Sequence, residues 1–123
     1  MKKNERLVRW VGPALRELRA LPEPVKAVAG FALYQAQQGA KHVDAKPLKG
    51  FRGGSVLEVV IESRGDAYRV VYTHRFHGFV YVLCAFQKKA TRGLKTPDRK
   101  VELIHSRLRT AAEHYRVSAA RGR

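Results

Sequence analysis

The spacing of apolar residues changes twice along the chain, and each change marks a different kind of element. Leu7, Val8, Trp10 and Val11 form a short apolar group closed by Gly12-Pro13, which predicts an opening strand. Leu15 and Leu18 then lie three apart and predict a short helix over 13–20, ended by Leu21-Pro22. Pro22-Glu23-Pro24 suits only a first helical turn. Behind it Val25, Val28, Ala29, Ala32, Leu33 and Ala36 repeat at helical spacing up to Gly39, predicting a second helix over 23–38 and hence a helical hairpin.

Residues 40–55, AKHVDAKPLKGFRGGS, have no periodicity and are interrupted by glycine and proline, so they read as a surface loop. From Val56 the period is two. Leu57, Val59 and Ile61 alternate with Glu58, Val60 and Glu62; Tyr68, Val70 and Tyr72 alternate with Arg69, Val71 and Thr73; and the run Phe79–Gln87 is apolar on both faces. With Arg64-Gly65 and His77-Gly78 as turns, this is a three-stranded antiparallel meander whose last strand suits a doubly covered position. Thr96-Pro97-Asp98 then reads as a helix start, followed by the stripe Val101, Ile104, Leu108, Ala111, Ala112 and Tyr115. The expected fold is α+β in the order β-α-α-β-β-β-α: an N-terminal helical hairpin packed on a twisted antiparallel sheet. It forms a single domain over 1–117, with a frayed basic tail at 118–123.

Turn chemistry fixes which residues share a face. A two-residue turn at Arg64-Gly65 sets Ser63 opposite Asp66, Val59 opposite Val70 and Val60 opposite Arg69. A two-residue turn at His77-Gly78 sets Phe76 opposite Phe79 and Arg69 opposite Phe86. One face then carries Leu57, Val59, Ile61, Tyr68, Val70, Tyr72, Tyr81, Leu83 and Ala85 as core. The other carries Glu58, Val60, Glu62, Arg69, Val71, Val82, Cys84, Phe86 and Lys88, with Arg69 and Lys88 as diagonal neighbours. The two cations, with the basic loop 40–55 folded over them, would form a phosphate site. The alternative is a structural ion pair of Arg69 with Glu58 or Glu62 and a solvated Lys88.

Charge sharpens this picture. The 123 residues hold 25 Lys and Arg against 10 Asp and Glu, a net charge of +15. Residues 84–123 alone carry 11 basic and 3 acidic groups. Surfaces that serve only solubility mix both signs, so the excess points to a polyanionic partner, most simply nucleic acid. The single cysteine, Cys84, lies within an apolar run and reads as a small buried side chain, which removes a disulfide framework from consideration. His42, His74, His77 and His105 lack the acids or cysteines of a metal site. No metal or other cofactor is expected. No apolar run is long enough to cross a bilayer and the basic N-terminus lacks an apolar leader core, so a cytoplasmic protein is expected.

The segments LPEPVKAVAGFALYQAQQG, KPLKGFRGGSVLEVV, YRVVYTHRF and VYVLCAFQKKATRGLKTP, in this order and followed by a helix, resemble the phage-derived, HigB-like branch of the RelE toxin superfamily over about Leu21 to Tyr115. The resemblance rests on PLKG, L-E-V, Y-R-V-V-Y and A-F-Q-K-K with T-P behind it. It implies a RelE-like fold and the toxin of a type II toxin–antitoxin pair, an endoribonuclease that cleaves mRNA, in many relatives on the ribosome. It also implies a HigA-like helix-turn-helix antitoxin as partner.

By motif, the catalytic positions carry over to Arg69 and to Lys88 or Lys89; register favours Lys88, because Lys89 points to the opposite face. Contacts to the RNA backbone are expected from Lys46, Lys49 and Arg52 of the loop and from Arg92 and Lys95 behind the third strand. The implied chemistry, attack of a ribose 2′-OH on the adjacent phosphate, needs orientation and charge neutralisation. Some relatives use a residue near the C-terminus as acid or base; here those positions are His114 and Tyr115, read as exposed or structural. Alanine at Arg69 or Lys88 is expected to abolish toxicity with the fold intact. The other reading of the same charge is a non-catalytic phage-derived protein that binds nucleic acid or a partner.

Overall fold

The computed structural model describes residues 5–88 and 98–121. Its elements are β1 (Leu7–Trp10), α1 (Ala14–Arg19), α2 (Glu23–Gln37), β2 (Ala45–Pro47), β3 (Val56–Ser63), β4 (Asp66–Thr73), β5 (Phe79–Lys88) and α3 (Asp98–Arg121). The five strands form one sheet in the order β1-β5-β4-β3-β2. The fold is α+β, as expected, with differences of detail. β1 runs parallel to β5, so the sheet is mixed and not wholly antiparallel. The expected loop 40–55 contributes a short edge strand, β2, antiparallel to β3, and a single 3-10 turn at Arg52–Gly54. α3 continues to Arg121, so residues 118–121, expected as frayed, are helical. Thr96-Pro97, read as the helix start, lies outside the described residues.

Two apolar cores sandwich the sheet. α1 and α2 bury Ala14, Leu18, Val25, Ala29 and Leu33 against Leu57, Val59, Ile61, Val70 and Tyr72. On the other face, α3 buries Ile104, Leu108 and Ala111 against Val56, Val71, Leu83, Cys84 and Phe86. This third layer explains why β5 is apolar on both sides: it lies between helices above and below.

The first hairpin has the expected register, with Ser63 opposite Asp66 and Val60 opposite Arg69. Arg64 (φ 53°) and Gly65 (φ 85°) both take the left-handed conformation of a type I′ turn, which suits glycine at the second position and matches strand twist. The second hairpin differs. Arg69 faces Phe86 and Val71 faces Cys84 as expected, but Tyr72 faces Val82 and Thr73 faces Tyr81, with a bulge between. The chain at 74–78 therefore closes through a longer connection, in which the Phe79 N–H donates to the Phe76 carbonyl at 3.0 Å. The bulge restores the register at Arg69. Its consequence lies in the facing of β5: Val82 joins the α1/α2 core, while Tyr81 and Leu83 join the α3 core, the reverse of the expected assignment.

Past Val82, β5 has no β1 neighbour, and side chains take its exposed backbone groups. Glu17 of α1 accepts from the Ala85 N–H at 3.2 Å, and Arg107 of α3 donates to the Leu83 carbonyl at 2.8 Å. The two side chains also form a bidentate pair, with both N···O distances 2.8 Å. They blunt a strand edge and tie α1 to α3 across it. Arg107→Ala removes the cation that faces a partly buried carboxylate and leaves the Leu83 carbonyl without its side-chain donor, so it is expected to lower stability by about 2 kcal/mol. Urea unfolding of the variant checks this; a change inside the error of the measurement would show the clasp to be incidental.

Candidate RNA-binding site

The first hairpin fixes the site. Arg69 on β4 and Glu58 on β3 are diagonal neighbours on the α3 face of the sheet, and Lys88 lies two residues past Phe86, the residue opposite Arg69. Lys46 on β2 faces Glu58 directly. The structure thus places Glu58, Arg69 and Lys88 on one face toward one end of β4 and β5, with Lys46 on the same face at the sheet edge. Lys89, Arg92 and Lys95 lie outside the described residues.

Within this group Arg69 is 1% exposed, Glu58 5% and Lys88 8%. Arg69 Nη1 donates to Glu58 Oε2 at 2.6 Å, a short charge-assisted contact. The ion pair weighed as an alternative is therefore present, with Glu58 and not Glu62 as the partner. Lys88, however, is not the solvated lysine of that alternative. Burial holds its pKa below the ordinary lysine value, the adjacent Arg69 charge lowers it further, and Glu58 partly opposes both.

The sign of each contribution gives a prediction. Glu58→Gln removes an opposing charge and should shift the Lys88 titration to lower pH; Arg69→Gln removes a like charge and should shift it up. NMR titration of the lysine side-chain ε carbon reads both directly, and equal curves in all three proteins would refute the coupling.

Lys100 of α3, not among the sequence candidates, lies 4.7 Å from the Phe86 ring centroid and so brings another cation to the end of β5. Nothing in the periodicity marks it, because only the docking of α3 on this face places it there. Lys49 is exposed on the connection after β2. Arg52 is not at this cluster: it lies in the 3-10 turn before β3, whose first residue, Val56, is already four residues, or roughly 13 Å by strand rise, from Val60, the residue opposite Arg69.

His114 and Tyr115 are also remote from Lys88. Tyr81 Oη and His114 Nδ1 share a hydrogen bond at 2.7 Å, and Tyr115 packs with Phe76 and Phe79. This aromatic group sits at the start of β5, on the order of 20 Å from its end by strand rise. Burial pushes the Cys84 thiol up to about 12, which leaves it protonated at neutral pH and unsuited to nucleophilic work. Among the described residues, no group of three or more His, Cys, Asp or Glu side chains is placed to hold a metal ion, and no helix is long and apolar enough to cross a membrane.

No curated protein matches this sequence. Among solved structures, the toxin–antitoxin complex RelBE2 from Mycobacterium tuberculosis is similar at 26% identity, covering 68% of this chain and 99% of that one with a TM-score of 0.45. The family model described as Phage derived protein Gp49-like matches residues 16–109, from within α1 to the middle of α3, and the chain belongs to this Gp49-like family.

Proposed function

We propose that this protein is the toxin of a type II toxin–antitoxin pair of the RelE-like, HigB-like kind, acting as an endoribonuclease on mRNA without a metal. The observation that carries the reading is the juxtaposition of Lys88 with Arg69 on one sheet face, with Lys46 on the same face, within a protein of net charge +15. Membership of the Gp49-like family supports it.

In the proposed reaction the ribose 2′-oxygen forms a bond to the adjacent phosphorus as its proton leaves. The bond from phosphorus to the 5′-oxygen breaks, and that oxygen takes up a proton. The products are a 2′,3′-cyclic phosphate and a 5′-hydroxyl. Lys88 neutralises charge that accumulates on the phosphate oxygens, and its lowered pKa also suits proton donation to the leaving oxygen. Arg69, held by Glu58, sets the electrostatics of Lys88 from below. Lys46, Lys49 and Lys100 guide the RNA backbone, and Lys89, Arg92 and Lys95 extend the same basic segment in sequence.

Expression of the protein alone should arrest growth, and co-expression of a cognate HigA-like helix-turn-helix antitoxin should relieve it. Purified protein, tested with and without ribosomes, should leave RNA fragments with cyclic phosphate ends; binding with no cleavage in either setting would overturn the enzymatic reading. The burial of Arg69 in an ion pair favours a second reading, a non-catalytic nucleic-acid-binding protein, which predicts steep salt dependence of binding and no products.

A further inference from the structure

A second site lies at the other end of β3 and β4. A surface cavity of about 650 Å³ is bordered by Phe51, Arg52, Ser55, Arg75 and His105, with no carboxylate in its lining. That is room for a nucleotide. Its basic groups are held in place. The buried hydroxyl of Thr73 donates to the Ser55 carbonyl at 2.8 Å and accepts from the Arg75 N–H at 3.1 Å. The Arg75 guanidinium donates through Nε to Ser55 Oγ at 3.0 Å and through Nη2 to the Arg52 carbonyl at 3.4 Å. Gly53, at φ 72°, provides the left-handed turn just after that carbonyl. Among the described residues, the remaining donors of Arg75 have no partner.

Beside this fixed fork, the rings of Phe51 and His105 stack with centroids 4.0 Å apart and planes 24° from parallel. Phe51 comes from the connection before β3 and His105 from α3, so the stack exists only because α3 docks here. A planar donor fork next to a ring stack matches the two parts of a nucleotide: a phosphate that takes paired hydrogen bonds and a base that takes a flat apolar surface.

We infer that this cavity is a nucleotide-binding subsite for single-stranded RNA, with the phosphate on Arg75 and Arg52 and the base stacked on the Phe51–His105 pair. The inference rests on RNA being the ligand in the proposed function and extends its path along the strands from the Lys88 end. It assigns binding roles to Phe51, Arg75 and His105.

The test uses a fluorescein-labelled oligoribonucleotide of about ten residues with 2′-O-methyl riboses, which binds but cannot be cleaved by 2′-OH attack. Fluorescence anisotropy is measured against the full-length protein over a range of salt. The Arg75 side-chain bonds are exposed, so Arg75→Gln should change the melting temperature little, weaken binding severalfold and reduce the salt slope by about one. Phe51→Leu keeps apolar bulk but removes the ring, and should weaken binding about tenfold. Poly-glutamate, an acidic chain without bases, should not distinguish Phe51→Leu from the unsubstituted protein.

Binding of RNA within about twofold of the unsubstituted protein in both variants overturns the inference, as does equal sensitivity of poly-glutamate to the loss of the ring. The outcome is separable from the proposed catalysis. Loss of binding in the variants of a protein that cleaves no RNA sinks the enzymatic reading alone, whereas unchanged binding in the variants of an active nuclease sinks the subsite alone.

Discussion

Arg69→Ala is expected to lower the unfolding free energy by about 3–5 kcal/mol, because it leaves the Glu58 carboxylate buried without the guanidinium that compensates it. The sequence-based expectation that this substitution leaves the fold intact is therefore replaced by a stability effect. Glu58→Ala should behave similarly, since it removes the same buried ion pair from the other side. Replacing the pair together, Arg69→Met with Glu58→Leu, removes both charges and fills the space with apolar groups. That double variant should be more stable than either single alanine variant and close to the unsubstituted protein. Chemical denaturation of the four proteins checks the pattern, and a loss below about 1 kcal/mol in Arg69→Ala would show the pair to be solvated in solution. The functional consequence is direct. Loss of toxicity in Arg69→Ala measures folding as well as chemistry, so Arg69 by itself cannot establish the active site.

What could be read from the residues depended on whether a wrong register had a price in burial. In the first hairpin, a one-residue slip would bury Glu62 and expose Ile61, and Arg64-Gly65 has the backbone preferences of a tight turn; both signals agree, and the observed pairing follows them. β5 offers no such penalty. From Phe79 to Phe86 every residue is apolar or small, so turning Leu83 from one face to the other exchanges one apolar side chain for another. The bulge near Tyr72 is invisible for that reason. The site survived the error because the longer connection at 74–78 and the bulge offset each other before Arg69. β2 is only three residues long and contains a proline, which hides it within a loop pattern. The stripe of α3 announced a helix and its buried side, but not which sheet face would receive it. The Phe51–His105 stack and the approach of Lys100 to Phe86 are products of that docking, and no local pattern encodes either.

Lys88→Ala should abolish growth arrest and reduce RNA cleavage by about 10²–10³-fold, the loss typical of removing one positioned group from the charge that develops in a transition state. Unlike Arg69, which lies within the central strand β4, Lys88 stands at the last residue of β5, opposite Ala67. Stability should change by less than the Arg69→Ala effect, so activity and folding separate at this position. The strand explains why a lysine here is effective. β5 is held by β4 along one edge, by β1 along half of the other, and by Glu17 and Arg107 beyond that half. A cation at the end of such a strand has little backbone freedom to lose when a phosphate arrives, which favours a preorganised contact. Lys88→Arg keeps the charge but changes its shape from a compact ammonium to a broad fork, so it should retain RNA binding better than cleavage. A Lys88→Ala protein that still arrests growth and still cleaves RNA would place the chemistry elsewhere on the sheet, and would leave Lys88 as one more contact along the RNA path.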